Sequence, residues 1–123
     1  MPKIKIILAD DSQNLLNILK RIIETDDDLE VVALCHDGKD ALDLTLLHSP
    51  DVLVLDISMP VIDGFEVIRL LRLSSSLTKI IVLSGHSYEF YGNKAIESGA
   101  DLYIEKGLSV KSIISDIKSV YNG

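Results

Sequence analysis

Asp51-Val52-Leu53-Val54-Leu55-Asp56 is a short apolar run of strand character that stops on a carboxylate. It is apolar on both of its alternating faces, as a central strand covered by helices on each side must be. Two further runs share the plan. Ile4-Lys5-Ile6-Ile7-Leu8-Ala9 stops at Asp10-Asp11, and Lys79-Ile80-Ile81-Val82-Leu83 stops at Ser84. If the three are neighbouring parallel strands, their C-terminal ends converge on one edge of the sheet, the place where open α/β sheets bind ligands. Three carboxylates and a hydroxyl would then share one small pocket.

Working outward, strand-like runs near 4–9, 29–35, 51–55, 79–83 and 102–104 alternate with segments of helical period, which implies βαβ units and a parallel sheet. The five units leave no linker, so residues 1–123 read as a single domain. Ser12 can cap the first helix, in which Leu15, Leu16, Leu19, Ile22 and Ile23 share one face. The acidic stretch Thr25-Asp26-Asp27-Asp28 after it reads as a solvated turn, and the edge-like Leu29-Glu30-Val31 carries a charge. A second helix from about Gly38 to His48 is stopped by Ser49-Pro50, a third follows Asp63-Gly64, and the fourth is weak. The last carries Val110, Ile113, Ile114, Ile117, Val120 and Tyr121 on one stripe, which reads as a core face. Right-handed crossovers and a strand order of 2-1-3-4-5 put the ends of the first and third strands side by side. The expected architecture is a doubly wound, flavodoxin-like (βα)5 three-layer sandwich, and that topology accounts for the acid cluster.

Composition narrows the function. With 47% hydrophobic residues the chain can bury a real core, and a formal net charge of −7 argues against direct nucleic-acid binding, which needs Lys and Arg to neutralise phosphates. Cys35, the one cysteine, lies within an apolar stretch and reads as a small buried hydrophobe. No charged leader with an apolar core and cleavage site is evident, and no apolar run approaches the ~18 residues needed to span a bilayer. A cytoplasmic domain without a membrane segment is expected.

Carboxylates packed together resist ionising unless a cation lies between them, so the cluster implies a hard divalent ion with oxygen ligands, Mg²⁺. Asp56 suits the role of nucleophile, since a carboxylate can attack phosphorus to give an acyl phosphate when the charges of both partners are offset. Asp11 and Asp56 would hold the ion, Asp10 would ligate directly or through water, and the backbone carbonyl of Ser58 could add a ligand. Lys106, at the end of the fifth strand, would supply a point positive charge to phosphoryl oxygens, and Ser84 would donate a hydrogen bond to them.

Ala9-Asp10-Asp11, Leu55-Asp56-Ile57-Ser58-Met59-Pro60 with Asp63-Gly64, Val82-Leu83-Ser84-Gly85, and Gly99-Ala100-Asp101-Leu102-Tyr103 leading to Lys106 together resemble the response-regulator receiver domain of two-component signalling. The resemblance spans essentially the whole chain. It implies that Asp56 accepts a phosphoryl group from a histidine kinase or phosphotransfer protein, that Asp10 and Asp11 bind Mg²⁺, and that Ser84 and Tyr103 form a switch pair. It also implies that positions 58 and 86 flank the phosphoryl group and tune its lifetime, and that homodimers can form on phosphorylation. Such a protein is a regulator that catalyses only its own phosphorylation and dephosphorylation. Where the family most often has Lys-Pro with a cis bond this chain has Lys106-Gly107, and a non-proline cis bond costs ~2.5–4 kcal/mol. The segment from Gly99 to Ser109 is similar to receivers attached to helix-turn-helix transcription factors, so the expected output is transcription through a DNA-binding domain outside residues 1–123, with a stand-alone relay as the alternative.

Other readings fit less well. A haloacid-dehalogenase-like phosphatase resembles a motif with a second Asp two residues after the first, where this chain has Ser58. A flavodoxin-like electron carrier must cradle a phosphate in its first loop, where Asp10-Asp11 would repel it. His36, His48 and His86 lack metal-ligand spacing, and Ser84 is not in a nucleophile-elbow sequence. Within the weak fourth helix Gly92 costs ~1 kcal/mol relative to Ala, and the expected inward residues are Tyr88, Ala95 and Ile96, with Phe90 facing out.

Overall fold

The computed structural model describes residues 2–107 and 112–123. Five strands, β1 (Ile4–Ala9), β2 (Leu29–Cys35), β3 (Val52–Leu55), β4 (Lys79–Ser84) and β5 (Leu102–Glu105), alternate with five helices, α1 (Gln13–Ile23), α2 (Gly38–His48), α3 (Gly64–Leu73), α4 (Tyr88–Ser98) and α5 (Ile113–Asn122). All pairings are parallel, in the order β2-β1-β3-β4-β5. Ala9 pairs with Leu55, Leu55 with Val82 and Val82 with Tyr103, so the residues that follow these strands share one edge.

Alternation along the strands divides the core in two. Ile7, Leu53, Leu55, Ile80 and Val82 pack on one face with Ala41, Val67, Ile68, Leu71 and Ala95 of α2, α3 and α4. Ile6, Leu8, Val54, Ile81 and Leu83 pack on the other with Leu16, Leu19 and Ile23 of α1 and Ile113 and Ile117 of α5. The result is the three-layer sandwich expected from the strand pattern. Cys35 is buried, and burial, with the charges of Asp40 and Asp37, pushes its thiol up to about 12. Caps follow the local rules: Ser12 Oγ accepts from the Leu15 amide, while Asp37 and Asp63 cap α2 and α3 in the same way.

Some expectations are corrected. Asp51 lies outside β3 and uses its carboxylate to accept from the Lys5 amide. The turn at 25–28 is more than a solvated acid run, because Lys118 of α5 reaches Asp26 at 2.6 Å and Asp28 at 3.6 Å; the bond to Lys118 holds the Asp26 carboxyl below its ordinary value. Tyr121 is exposed rather than part of the α5 core face, and Val110 lies outside the described residues, as do Leu108 and Ser109. In α4 the buried residues are Gly92 and Ala95, with Tyr91 packed against the core, while Tyr88 and Ile96 are exposed. Phe90 does face out, at 76% exposure. The Lys106-Gly107 bond is not cis, and Gly107 takes the left-handed backbone, φ 86°.

Candidate functional site

Two strand ends build the acidic cluster. Asp10 follows β1 and donates its amide to the Cys35 carbonyl at 3.0 Å; Asp56 follows β3 and donates its amide to the Ala9 carbonyl at 3.0 Å. The ladder is thereby extended one residue past each strand, and both side chains are buried. Asp11, next along, is exposed. A carboxylate oxygen of each lies within 4.8 Å of the others, a spacing and a donor type that fit a hard divalent cation such as Mg²⁺. The start of α3 is pressed against this loop: a Cβ on Gly64 would lie 2.5 Å from the Asp56 carbonyl oxygen, so only glycine permits the approach.

Lys106 Nζ stands 2.7 Å from Asp10 Oδ2 and 3.2 Å from Asp56 Oδ2. The two expected roles, carboxylate cluster and cation, thus meet in one place. Burial raises the Asp56 carboxyl above its ordinary value; Lys106 opposes this, the Asp10 charge adds to it, and the Ser58 amide, 3.3 Å from Oδ1, opposes it again. Burial alone would lower Lys106, but its bond to Asp10 and the charge of Asp56 outweigh that and raise it. A proton is therefore held less loosely than usual on both partners.

Ser84, fully buried at the end of β4, accepts from the His86 amide at 3.1 Å through Oγ, and its carbonyl accepts from the Lys106 amide at 2.7 Å. Tyr103 is turned inward, and its hydroxyl donates to the His86 carbonyl at 2.7 Å. Ser58 Oγ and His86 Nε2 lie 3.4 Å apart, so positions 58 and 86 face each other above the cluster. The His86 ring in turn rests edge-on against Tyr91, with centroids 4.8 Å apart.

Two residues of this region escaped the sequence reading. Arg72 donates to the carbonyls of Gly99, Ser76 and Thr78 and pairs with Asp101, tying the end of α3 to the loops around β4. Glu105 accepts from the Tyr88 amide at 2.7 Å. Neither bears a local signal, although Arg72 in the last turn of a helix is where a cation bonds free carbonyls.

Comparison with known proteins agrees with this arrangement. Residues 6–118 match the family model of the response regulator receiver domain. The transcriptional regulatory protein DegU of Brevibacillus brevis is 36% identical over 121 residues, 98% of this chain and 51% of that protein. The response regulator UvrY of Escherichia coli K12 is 33% identical over 120 residues, 98% of this chain and 55% of its own. The chain thus spans about half the length of these relatives. Among solved structures, the signal receiver domain of a NarL response regulator from Mycobacterium tuberculosis superposes with a TM-score of 0.95 at 26% identity, covering 100% of this chain and 99% of that one. A LuxR-family DNA-binding response regulator from Staphylococcus aureus gives 0.90 at 30% identity over 96% and 98%. With the parallel sheet, the strand-end carboxylates and the lysine brought onto them, these matches establish that the chain belongs to the response regulator receiver domain family of two-component systems.

Proposed function

We propose that residues 1–123 form one phospho-accepting switch domain in which Asp56 takes a phosphoryl group from a histidine kinase or a phosphotransfer protein. The observation that carries this reading is Lys106, which reaches both Asp56 and Asp10 while Asp11 lies within the same cluster. A carboxylate oxygen of Asp56 forms the new P–O bond as the P–N bond of a phosphohistidine breaks, and the leaving imidazole keeps the electron pair and takes a proton from solvent. Asp10, Asp11, Asp56 and the Ser58 carbonyl would hold Mg²⁺, which supplies the positive charge that lets one anion approach another. Lys106 and the Ser84 hydroxyl are placed to bond phosphoryl oxygens, while Ser58 and His86 line the approach of water and so govern how long the phosphoryl group persists.

Ser84 and Tyr103 would carry the change outward as a pair, since both bond the main chain of His86 at the start of the α4 connection. The domain is then a regulator, with no substrate beyond its own carboxylate. The output we assign is transcription, through a DNA-binding segment beyond the receiver, because the DegU-like relatives run to about twice this length. Homodimerisation on phosphorylation and a cytoplasmic location belong to the same proposal; no helix among the described residues is long and apolar enough to cross a membrane.

The test is labelling with a small-molecule phosphodonor. Label is expected only with Mg²⁺, is expected to be base-labile as an acyl phosphate is, and is expected to vanish in Asp56→Asn. Persistent label on the Asn variant at a hydroxyl would overturn the assignment.

A further inference from the structure

The first turn of a helix leaves amide groups without partners. In α4 the N-cap residue, Ser87, makes no side-chain bond to the helix, and its hydroxyl is buried with no hydrogen-bond partner among the described residues. The Tyr88 amide is served from elsewhere, by Glu105 Oε1 at 2.7 Å, 17 residues along the chain. A carboxylate at the positive end of a helix makes a charge-assisted bond. Glu105 ends β5, pairs in register with Ser84, and is followed directly by Lys106. One peptide unit therefore separates the carboxylate that holds α4 from the ammonium that holds Asp56.

The held residue is itself gripped. The Tyr88 ring lies over Gly92, where a Cβ would fall 2.0 Å from its Cδ2, so the missing side chain is the seat for that ring. The same ring meets Tyr103 edge-on with centroids 5.8 Å apart, and its hydroxyl donates to Asn93 Oδ1 at 3.0 Å. Tyr88 is thus held at its amide by Glu105 and along its side chain by Gly92, Asn93 and Tyr103. At the far end Arg72 holds the Gly99 carbonyl through Nε at 3.0 Å and Nη2 at 2.8 Å. The helix is anchored at its C-terminal end and held at its N-terminal end by side chains of β5.

We propose that Glu105 is a positioning residue of the switch: through the Tyr88 amide it couples the position of Lys106 to the first turn of α4. This rests on the phospho-acceptor reading above. When Lys106 shifts toward a phosphoryl group on Asp56, the adjoining peptide moves with it, and the Glu105 to Tyr88 bond is the link that must follow or break.

The experiment compares wild type, E105A and E105Q by amide hydrogen exchange over 88–98, with and without Mg²⁺ and beryllofluoride, while fluorine NMR reports beryllofluoride uptake separately. E105A is expected to take up beryllofluoride within about twofold of wild type, to lose about tenfold in protection over Tyr88 to Tyr91, and to show no further change in α4 on uptake. E105Q, whose amide oxygen still accepts a hydrogen bond, is expected to recover most of the wild-type response. An E105A variant that keeps the wild-type response overturns the proposal, and so does an E105Q variant as deficient as E105A. A wild type that takes up no beryllofluoride overturns the phospho-acceptor reading itself, and this inference with it.

Discussion

Lys106 Nζ lies 3.2 Å from Asp56 Oδ2, joining residues 50 positions apart, and the same ammonium holds Asp10 at 2.7 Å. It therefore occupies carboxylate oxygens that a divalent cation would also use. Lys106→Ala should raise Mg²⁺ affinity roughly fivefold, equivalent to ~1 kcal/mol, read by isothermal titration calorimetry. In chelator the same variant should unfold more easily, by about 1–3 kcal/mol, because two buried carboxylates lose their partner. Loss of Mg²⁺ binding would show that the ammonium belongs to the metal site's support and not to its competition.

Asp56 gives a pH signature. Burial first, with the Asp10 charge, holds its carboxyl above the ordinary 3.8 despite Lys106. The folded state therefore binds this proton more readily than the unfolded chain does, and stability contributed by the protonated form is lost as pH rises through the raised value. Asp56→Asn should stabilise the metal-free domain at neutral pH by a few degrees in Tm, on the order of 1 kcal/mol. The gain should shrink toward zero as pH falls below the ordinary carboxylate value. A gain independent of pH would assign the effect to something other than the charge.

Arg72 is the planar fork that bonds three carbonyls and one carboxylate, and Lys cannot reproduce that geometry. Arg72→Lys should cost about 1–3 kcal/mol in denaturant unfolding, since partly buried carbonyls are left unsatisfied. The accompanying rise in hydrogen exchange should be concentrated at the C-terminal end of α4 and the loop to β5. A uniform rise would count against a local anchor.

Cys35 is buried with its thiol pushed up to about 12, so almost no thiolate exists near neutral pH. Iodoacetamide at pH 8 should modify it at the rate at which the domain opens, and denaturant should speed the reaction by orders of magnitude. Rapid native-state labelling would contradict the burial.

Much of this was legible in the residues. Val52 to Leu55, apolar on both faces, announces a central strand, and right-handed crossovers in the order 2-1-3-4-5 bring Asp10 beside Asp56. Lys106 was legible as a cation at the end of β5, but not its reach onto Asp10. The α4 face was misjudged for a specific reason. Gly92 reads as a defect in a helix, whereas its missing side chain receives the Tyr88 ring, and the residues on the core side are Tyr91 and Ala95, with Tyr88 and Ile96 exposed.

Strand positions and the carboxylates that end them follow from alternation and from where each apolar run stops, local properties that a sequence carries on its face, and right-handed crossovers in the order 2-1-3-4-5 make those ends converge. The bonds of Glu105 to Tyr88, Arg72 to Gly99 and Lys118 to Asp26 do not. Each joins a long side chain to a group from another part of the chain, in the last case 92 residues away, and nothing local encodes where a flexible side chain will find its partner. Packing of the helices on the sheet decides that, because only the assembled layers set the distances those side chains must span.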